Sequence, residues 1–300
     1  MDIVTTHGLT KRFGNVTVVD GLDLRIPEGV VYGFLGPNGS GKSTTMKMLL
    51  SLLTPTAGEI EIFGRPMNRG TRRELLAHIG SLIEAPSVYG HLTGAENMRI
   101  VQRLLGLADA QVANALATVR LEQHTTKLVR NYSLGMKQRL GIAMALARSP
   151  RLLVLDEPTN GLDPAGIEEI RELLIALAAD GVTVMVSSHL LAEMEKMAQV
   201  LGIIDHGRLV FQGTRAELFE RALPDLVIDT PDPERAAQVL AAHTPVRVTG
   251  GLRLANLTAA ATAEGIAALV GAGVPVYEVR REQQSLEEVF IEITGRGGDL

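Results

Sequence analysis

The sequence predicts an α/β fold with a largely parallel sheet over its first 220 residues, followed by a smaller α+β unit. Three observations lead there. Short β-type runs alternate with helical patterns up to about residue 220. Within that stretch a buried strand, "VVYGFLG" (30–36), passes through a glycine-rich loop straight into a helical pattern. After Pro224 the alternation changes to β-α-β-β-α-β, the split βαβ order of ferredoxin-like folds.

In chain order, "STTMKMLLSLL" (43–53) reads as a helix halted by Pro55, and "EIEIFG" (59–64) alternates as a half-exposed strand. "GSLIEAP" (80–86) reads as a buried strand running into a turn, with Glu84 as its last strand residue. "TGAE" (93–96) has capping-box spacing and opens a helix with Met98, Val101 and Leu105 on one face. A second helical pattern carries Val112, Leu116 and Val119, and a third spans 133–148, closed by Ser149-Pro150. Strand "RLLVLD" (151–156), a helix over about 165–179 stopped by Gly181, and strand "VTVMVSS" (182–188) follow. "VLGIID" and "RLVFQG" pair as strands across His206-Gly207. The last helix opens on a second capping box, "SLEE", and places Leu286, Val289, Phe290 and Ile293 on one side.

Composition narrows the class. The 300 residues are 46% hydrophobic and can bury one large core or two smaller ones. The absence of cysteine excludes disulfides and thiol chemistry. "MDIVTTHGLTKRFGN" lacks an apolar signal core, and no apolar run approaches the ~20 residues of a membrane span. A net charge of −5 argues against a nucleic-acid binder. Residues 1–220 hold 22 basic and 23 acidic groups, whereas 221–300 hold 7 and 11, which sets the tail apart as a unit. The expected domains are therefore 1–222 and 223–300.

"GPNGSGKST" (36–44) satisfies G-x-x-x-x-G-K-[ST] between a strand and a helix, the context a phosphate-binding P-loop requires. Gly36, Pro37, Asn38, Gly39, Ser40 and Gly41 form the loop whose backbone N–H groups can curl around phosphates. Lys42 can reach the β- and γ-phosphates, Ser43 can ligate Mg²⁺, and Thr44 completes the motif. An ordinary glycine-rich turn is the alternative, and the strand-loop-helix context speaks against it. In "LLVLDEPT" a buried strand ends in Asp156, an acid for Mg²⁺, and Glu157 beside it can polarise the attacking water. His189 directly follows a strand of the same sheet, where ligand contacts collect, and an imidazole there can bond the γ-phosphate. His7, His78, His91, His124, His206 and His243 get a structural reading.

This set resembles the ATP-binding subunits of ABC transporters over about residues 3–220. "NYSLGMKQRLGIAMALARSPRLLVLDEPTNGLDP" matches that family's signature segment, its Asp156-Glu157 strand, and its dimer-contacting loop at Gly161, Leu162 and Asp163. The resemblance implies a P-loop ABC-type ATPase core with a helical insert at about 86–150. It implies a switch role for His189 and stacking of Phe13 on adenine, with a core position as the alternative for Phe13. It implies that Ser133 and Gly135 meet ATP on a second ATPase subunit, so that hydrolysis opens a dimer and drives transmembrane permease subunits. Tyr89, His91 and Leu92 are contacts for that partner or ordinary loop packing. The chain would lie at the cytoplasmic face of the cell membrane, attached through its partners.

Two departures stand out. The usual Leu-Ser-Gly-Gly-Gln reads Tyr132-Ser133-Leu134-Gly135-Met136, and the loop glutamine joining core to insert is Glu84. Both resemble the bacitracin- and lantibiotic-resistance branch of exporters. Glu84 beside a triphosphate makes sense as a ligand of Mg²⁺, direct or through water, and otherwise as a solvent-facing loop acid. The rival readings are a soluble ABC-type ATPase acting on ribosomes or DNA, and a regulatory module that binds ATP without turnover. One cassette, no cysteine and no heptad run oppose the first; Glu157 and His189 oppose the second.

Overall fold

The hairpin β1 (Asp2–Phe13) and β2 (Val16–Leu22) opens the chain, turning on Gly14-Asn15 with Gly14 at φ 58°. A two-residue loop of this kind needs positive φ, which glycine adopts without strain. β3 (Arg25–Pro27) pairs back on β1, so three strands precede the first one expected from the sequence. The computed structural model describes residues 1–188, 190–221, 224–255, 257–282 and 284–295.

β4 (Val31–Leu35), every residue of it buried, leads through the glycine-rich loop into α1 (Lys42–Leu49). The expected helix to residue 53 stops early because Ser51 turns to φ 56° and Leu52 and Leu53 both donate N–H bonds to Lys47 O. β5 (Ala57–Ile62) and β6 (Arg65–Pro66) complete an antiparallel sheet in the order β2-β1-β5-β6. After α2 (Arg72–Leu76) comes β7 (Ile79–Leu82). Glu84 is thus not its last residue. It lies two positions beyond the strand, where φ 65° turns the chain away from the sheet.

Three helices follow: α3 (Gly94–Leu105), α4 (Asp109–Thr118) and α5 (Leu134–Leu146). The capping box forms at Thr93 and Glu96 as its spacing implies. β8 (Leu152–Asp156), α6 (Pro164–Ala179), β9 (Thr183–Ser188), α7 (Leu191–Met197), β10 (Val200–Asp205) and β11 (Arg208–Thr214) finish the first unit. The second sheet runs β11-β10-β4-β9-β8-β7, parallel except for β11. Its central strands read as continuous apolar runs because both faces are covered. One core joins the two sheets and α1 through Leu9, Leu24, Phe34, Met46, Ile62 and Val154.

The chain divides into compact units Met1–Thr214 and Arg215–Asp299, a few residues ahead of the boundary expected at 222. The reason is α8 (Arg215–Arg221), which packs against the last helix of the second unit, α11 (Leu286–Thr294). Between them lie β12 (Asp225–Asp229), α9 (Pro233–Val239), β13 (Val246–Val248), β14 (Gly251–Leu254), α10 (Ala259–Gly271) and β15 (Glu278–Glu282). The strands pair antiparallel in the order β13-β14-β12-β15 over a core of Leu226, Ile228, Leu252, Leu254 and Leu269. Asp225, buried on β12, accepts from Arg253 Nε at 2.7 Å and Gln284 Nε2 at 3.1 Å. Arg253 also reaches Glu288 at 2.9 Å, so a bonded acid on β12 is linked to α11, whose Leu286, Val289 and Phe290 are buried.

Candidate nucleotide site

The glycine-rich loop is shaped by its neighbours. A Cβ at Gly36 would lie 2.3 Å from Ile204 O, and one at Gly41, where φ is 106°, would lie 2.8 Å from Val18 O. Both positions exclude a side chain. Asn38 and Gly39 stand exposed at the loop's tip, while Pro37 and Ser40 are buried. Lys42 is buried and donates to Gly36 O at 2.6 Å and Pro37 O at 3.1 Å. Burial lowers its pKa, while the charges of Glu157 and Asp156 oppose that shift. The ammonium is thus tethered to loop carbonyls within the field of two acids. Ser43 and Thr44, half-buried, begin α1 beside it, where the helix's free N–H groups and positive end favour an anion.

Asp156 and Glu157 sit at the end of β8, and the neighbouring strand holds both. Asp156 and Ser187 are register partners, so Ser187 Oγ donates to Asp156 Oδ1 at 2.6 Å and accepts from Glu157 N at 2.9 Å. Glu157 adopts φ 48° and receives a 3.3 Å bond from Asn160 Nδ2. Sequence reasoning missed Ser187 and Asn160. The signal for Ser187 was present, as two serines closing the otherwise apolar "VTVMVSS". His189 lies outside the described residues.

A cavity is lined by Ser43, Glu84, Gln138, Asp156, Glu157 and Asn160, together with Leu134. Glu84 therefore reaches the same space as the P-loop serine, but its carboxylate is held by Lys47, Nζ to Oε1 at 2.6 Å. That hydrogen bond and the lysine's charge keep the Glu84 carboxyl below the usual range. Among the described residues no three His, Cys, Asp or Glu side chains cluster as a metal cage. A Ser43 hydroxyl and an Asp156 carboxylate facing one cavity could still hold a hard cation whose remaining ligands are phosphates and water.

Ser133 caps α5, its Oγ accepting from Met136 N at 3.2 Å, and Gly135 occupies the first turn. Leu134, 47% exposed, reaches the 160s loop, where a Cβ on Gly161 would lie 3.1 Å from Leu134 Cδ2. Phe13 is also exposed, at the end of β1, with Lys11 Nζ 5.1 Å from the ring centre. The core alternative for Phe13 is thereby removed. Tyr89 is exposed and stands edge-on to His91.

With this arrangement in view, the likeness to known proteins is decisive. Residues 19–160 match the family described as ABC transporter. A bacitracin transport ATP-binding protein of Enterococcus faecalis is 39% identical over 99% of this chain and 97% of its own length. The chain belongs to the ATP-binding subunits of ABC transporters. Members of this family hydrolyse ATP to drive transport. A lantibiotic transport ATP-binding protein of Streptococcus pyogenes is 44% identical over 69% of the chain and 88% of its own length. Among solved structures, a dimeric ATP-binding cassette in a post-hydrolysis state with ADP and Pi is 27% identical, with a TM-score of 0.63. That match covers 70% of this ABC subunit and 98% of the cassette. No described helix of this subunit is long and apolar enough to cross a membrane.

Proposed function

We propose that this subunit hydrolyses ATP to power an exporter of peptide antibiotics, drugs or similar amphiphiles, docked through separate transmembrane permease subunits at the cytoplasmic face of the cell membrane. The observation that carries the reading is the match to a bacitracin transport protein across nearly both whole chains, including the second unit. In this proposal residues 36–44 cradle the phosphates, Lys42 leaving its loop carbonyls for the β- and γ-oxygens, and the ring of Phe13 covers the adenine. Ser43 and Asp156, which line one cavity, would hold Mg²⁺, and that ion would supply neutralisation of phosphate charge. Glu157 takes a proton from the attacking water, His189 bonds the γ-phosphate, and Glu84 responds to the metal. Ser133 and Gly135, at the start of α5, meet the γ-phosphate held by a second copy of the subunit, which makes the working form a dimer with ATP at the joint.

The domain reading follows the same line: an ATPase domain with a helical insert, then an accessory domain of the ferredoxin-like type. Support for the latter is the βαββαβ element order with its antiparallel β13-β14-β12-β15 sheet. Its pairing of a buried Asp225 with Arg253 and its capped α11 suit bracing or subunit pairing.

The test is to purify the tagged subunit from membranes and identify what accompanies it. A polytopic membrane protein should co-purify, and cells carrying both should resist a peptide antibiotic more than cells carrying either alone. Co-purification with ribosomes or DNA, without a membrane protein, would overturn the transport reading.

A further inference from the structure

Glu84 draws its partner from the helix that also carries the P-loop hydroxyl. Ser43 and Lys47 are four residues apart on α1, so they share one face, a single turn from each other. Lys47 reaches from there to Glu84, 37 residues later in the chain, and meets it at 2.6 Å. The lysine side chain is 31% exposed and the acid's 69%. A pair this exposed is weak and screened by salt, so its acid can be exchanged to another cation at low cost. A buried pair could not be exchanged in this way, because separation would strand a charge.

The segment around Glu84 is also tied to the insert. On β7, a Cβ at Gly80 would lie 2.4 Å from Ala145 O of α5, and one at Gly141 of α5 would lie 3.0 Å from Pro86 Cβ. Glycines at both points let α5 lie directly against residues 80–86. Ser133, at the head of α5, is therefore one rigid helix away from Glu84. Glu84 itself sits at φ 65°, a strained backbone for a residue with a Cβ, held by the surrounding chain.

We propose that Lys47 is a positioning residue for Glu84: its ammonium holds the carboxylate until a divalent cation at Ser43 competes for the same oxygens. Binding of the metal–nucleotide pair then exchanges one cation partner for another and frees Lys47 to solvent. The pull on Glu84 passes through residues 85 and 86 to α5. Lys47 thereby sets how much metal is needed to turn the acid. This rests on the reading of Glu84 as the acid that responds to the metal.

The experiment uses the full-length chain and a fluorescent ATP analogue, titrated with Mg²⁺ at low ionic strength, for wild type, Lys47→Gln, Lys47→Arg and Glu84→Ala. Lys47→Gln should lower the Mg²⁺ midpoint by about two- to fivefold, the range an exposed ion pair provides. Lys47→Arg should restore it, and Glu84→Ala should raise it. Without nucleotide or metal, amides of residues 83–88 should exchange faster in Lys47→Gln than in wild type. An unchanged or raised midpoint in Lys47→Gln, with Glu84→Ala still shifted, overturns the role of Lys47 and leaves that of Glu84. If Glu84→Ala also keeps the wild-type midpoint, the metal reading of Glu84 falls, and this proposal with it.

Discussion

Asp156 ends a strand flanked on both sides, is 6% exposed, and is fixed by a 2.6 Å bond from Ser187. Glu84 lines the same cavity from two residues past the edge strand β7, with its side chain 69% exposed and bound to a lysine. The difference is one of exchangeability. Freeing Asp156 would break a bond inside a low-dielectric interior, whereas Glu84 can change partner at the surface. The buried acid is thus held in one geometry, and the exposed one is held only by a partner it can exchange.

If the buried end of β8 carries the chemistry, its largest effect should come from Glu157. Glu157→Gln keeps the side chain's size and removes its basicity. Steady-state ATP hydrolysis, measured with the membrane partner present, should fall by roughly 10²–10⁴-fold, the usual worth of a positioned base. Nucleotide affinity should stay near wild type, and trapped ATP should hold two subunits together in size-exclusion chromatography. Turnover within a few-fold of wild type would move the chemistry out of this half of the cavity.

A smaller effect, specific to the buried half, is expected at Ser187. Its hydroxyl donates to Asp156 and accepts from the Glu157 N–H, so Ser187→Ala removes a hydrogen bond to the buried Asp156 carboxylate and one from the part-buried Glu157 N–H. A buried group left unsatisfied costs about 1–3 kcal/mol. Urea unfolding of the variant should show a loss in that range, and hydrolysis should drop about tenfold as Asp156 and Glu157 loosen. The matching change at the exposed acid, Glu84→Ala, should leave the urea midpoint unchanged. Equal destabilisation by the two would erase the contrast between fixed and exchangeable acids.

What could be read beforehand follows the same division. The P-loop, Asp156 and Glu157 were legible because each motif is contiguous and its strand or helix context is local. The capping boxes at Thr93 and Ser285 were legible for the same reason. Lys47 was not, because its partner is 37 residues away and the pairing depends on where β7 stops and on the backbone turn at Glu84. Ser187 depends on the parallel register of β8 and β9, which composition does not encode. Of the first three strands, β1 escaped notice because register shifts break its alternation between Leu9 and Arg12, and β3 is only three residues long.

The smallest expected effect concerns the second unit. Every residue lining the cavity, from Ser43 to Asn160, belongs to the first unit, as do Phe13 and Lys42. The second unit has its own apolar core and its own ion pair, in which a buried Asp225 meets a partly exposed Arg253. Ending the chain after Thr214 should leave a soluble domain whose affinity for the ATP analogue is within about twofold of the full chain, a free-energy change below that of one exposed ion pair. The Mg²⁺ midpoint should stay in place too, since Ser43, Lys47, Glu84 and Asp156 all remain. A folded truncation, verified by circular dichroism, that has lost nucleotide binding would show that the contrast between Asp156 and Glu84 depends on a region that does not line their cavity. A truncation that binds normally but no longer confers resistance with its membrane partner would instead assign the second unit to assembly, the role that its Asp225–Arg253 pair and its α11 packed on α8 suit.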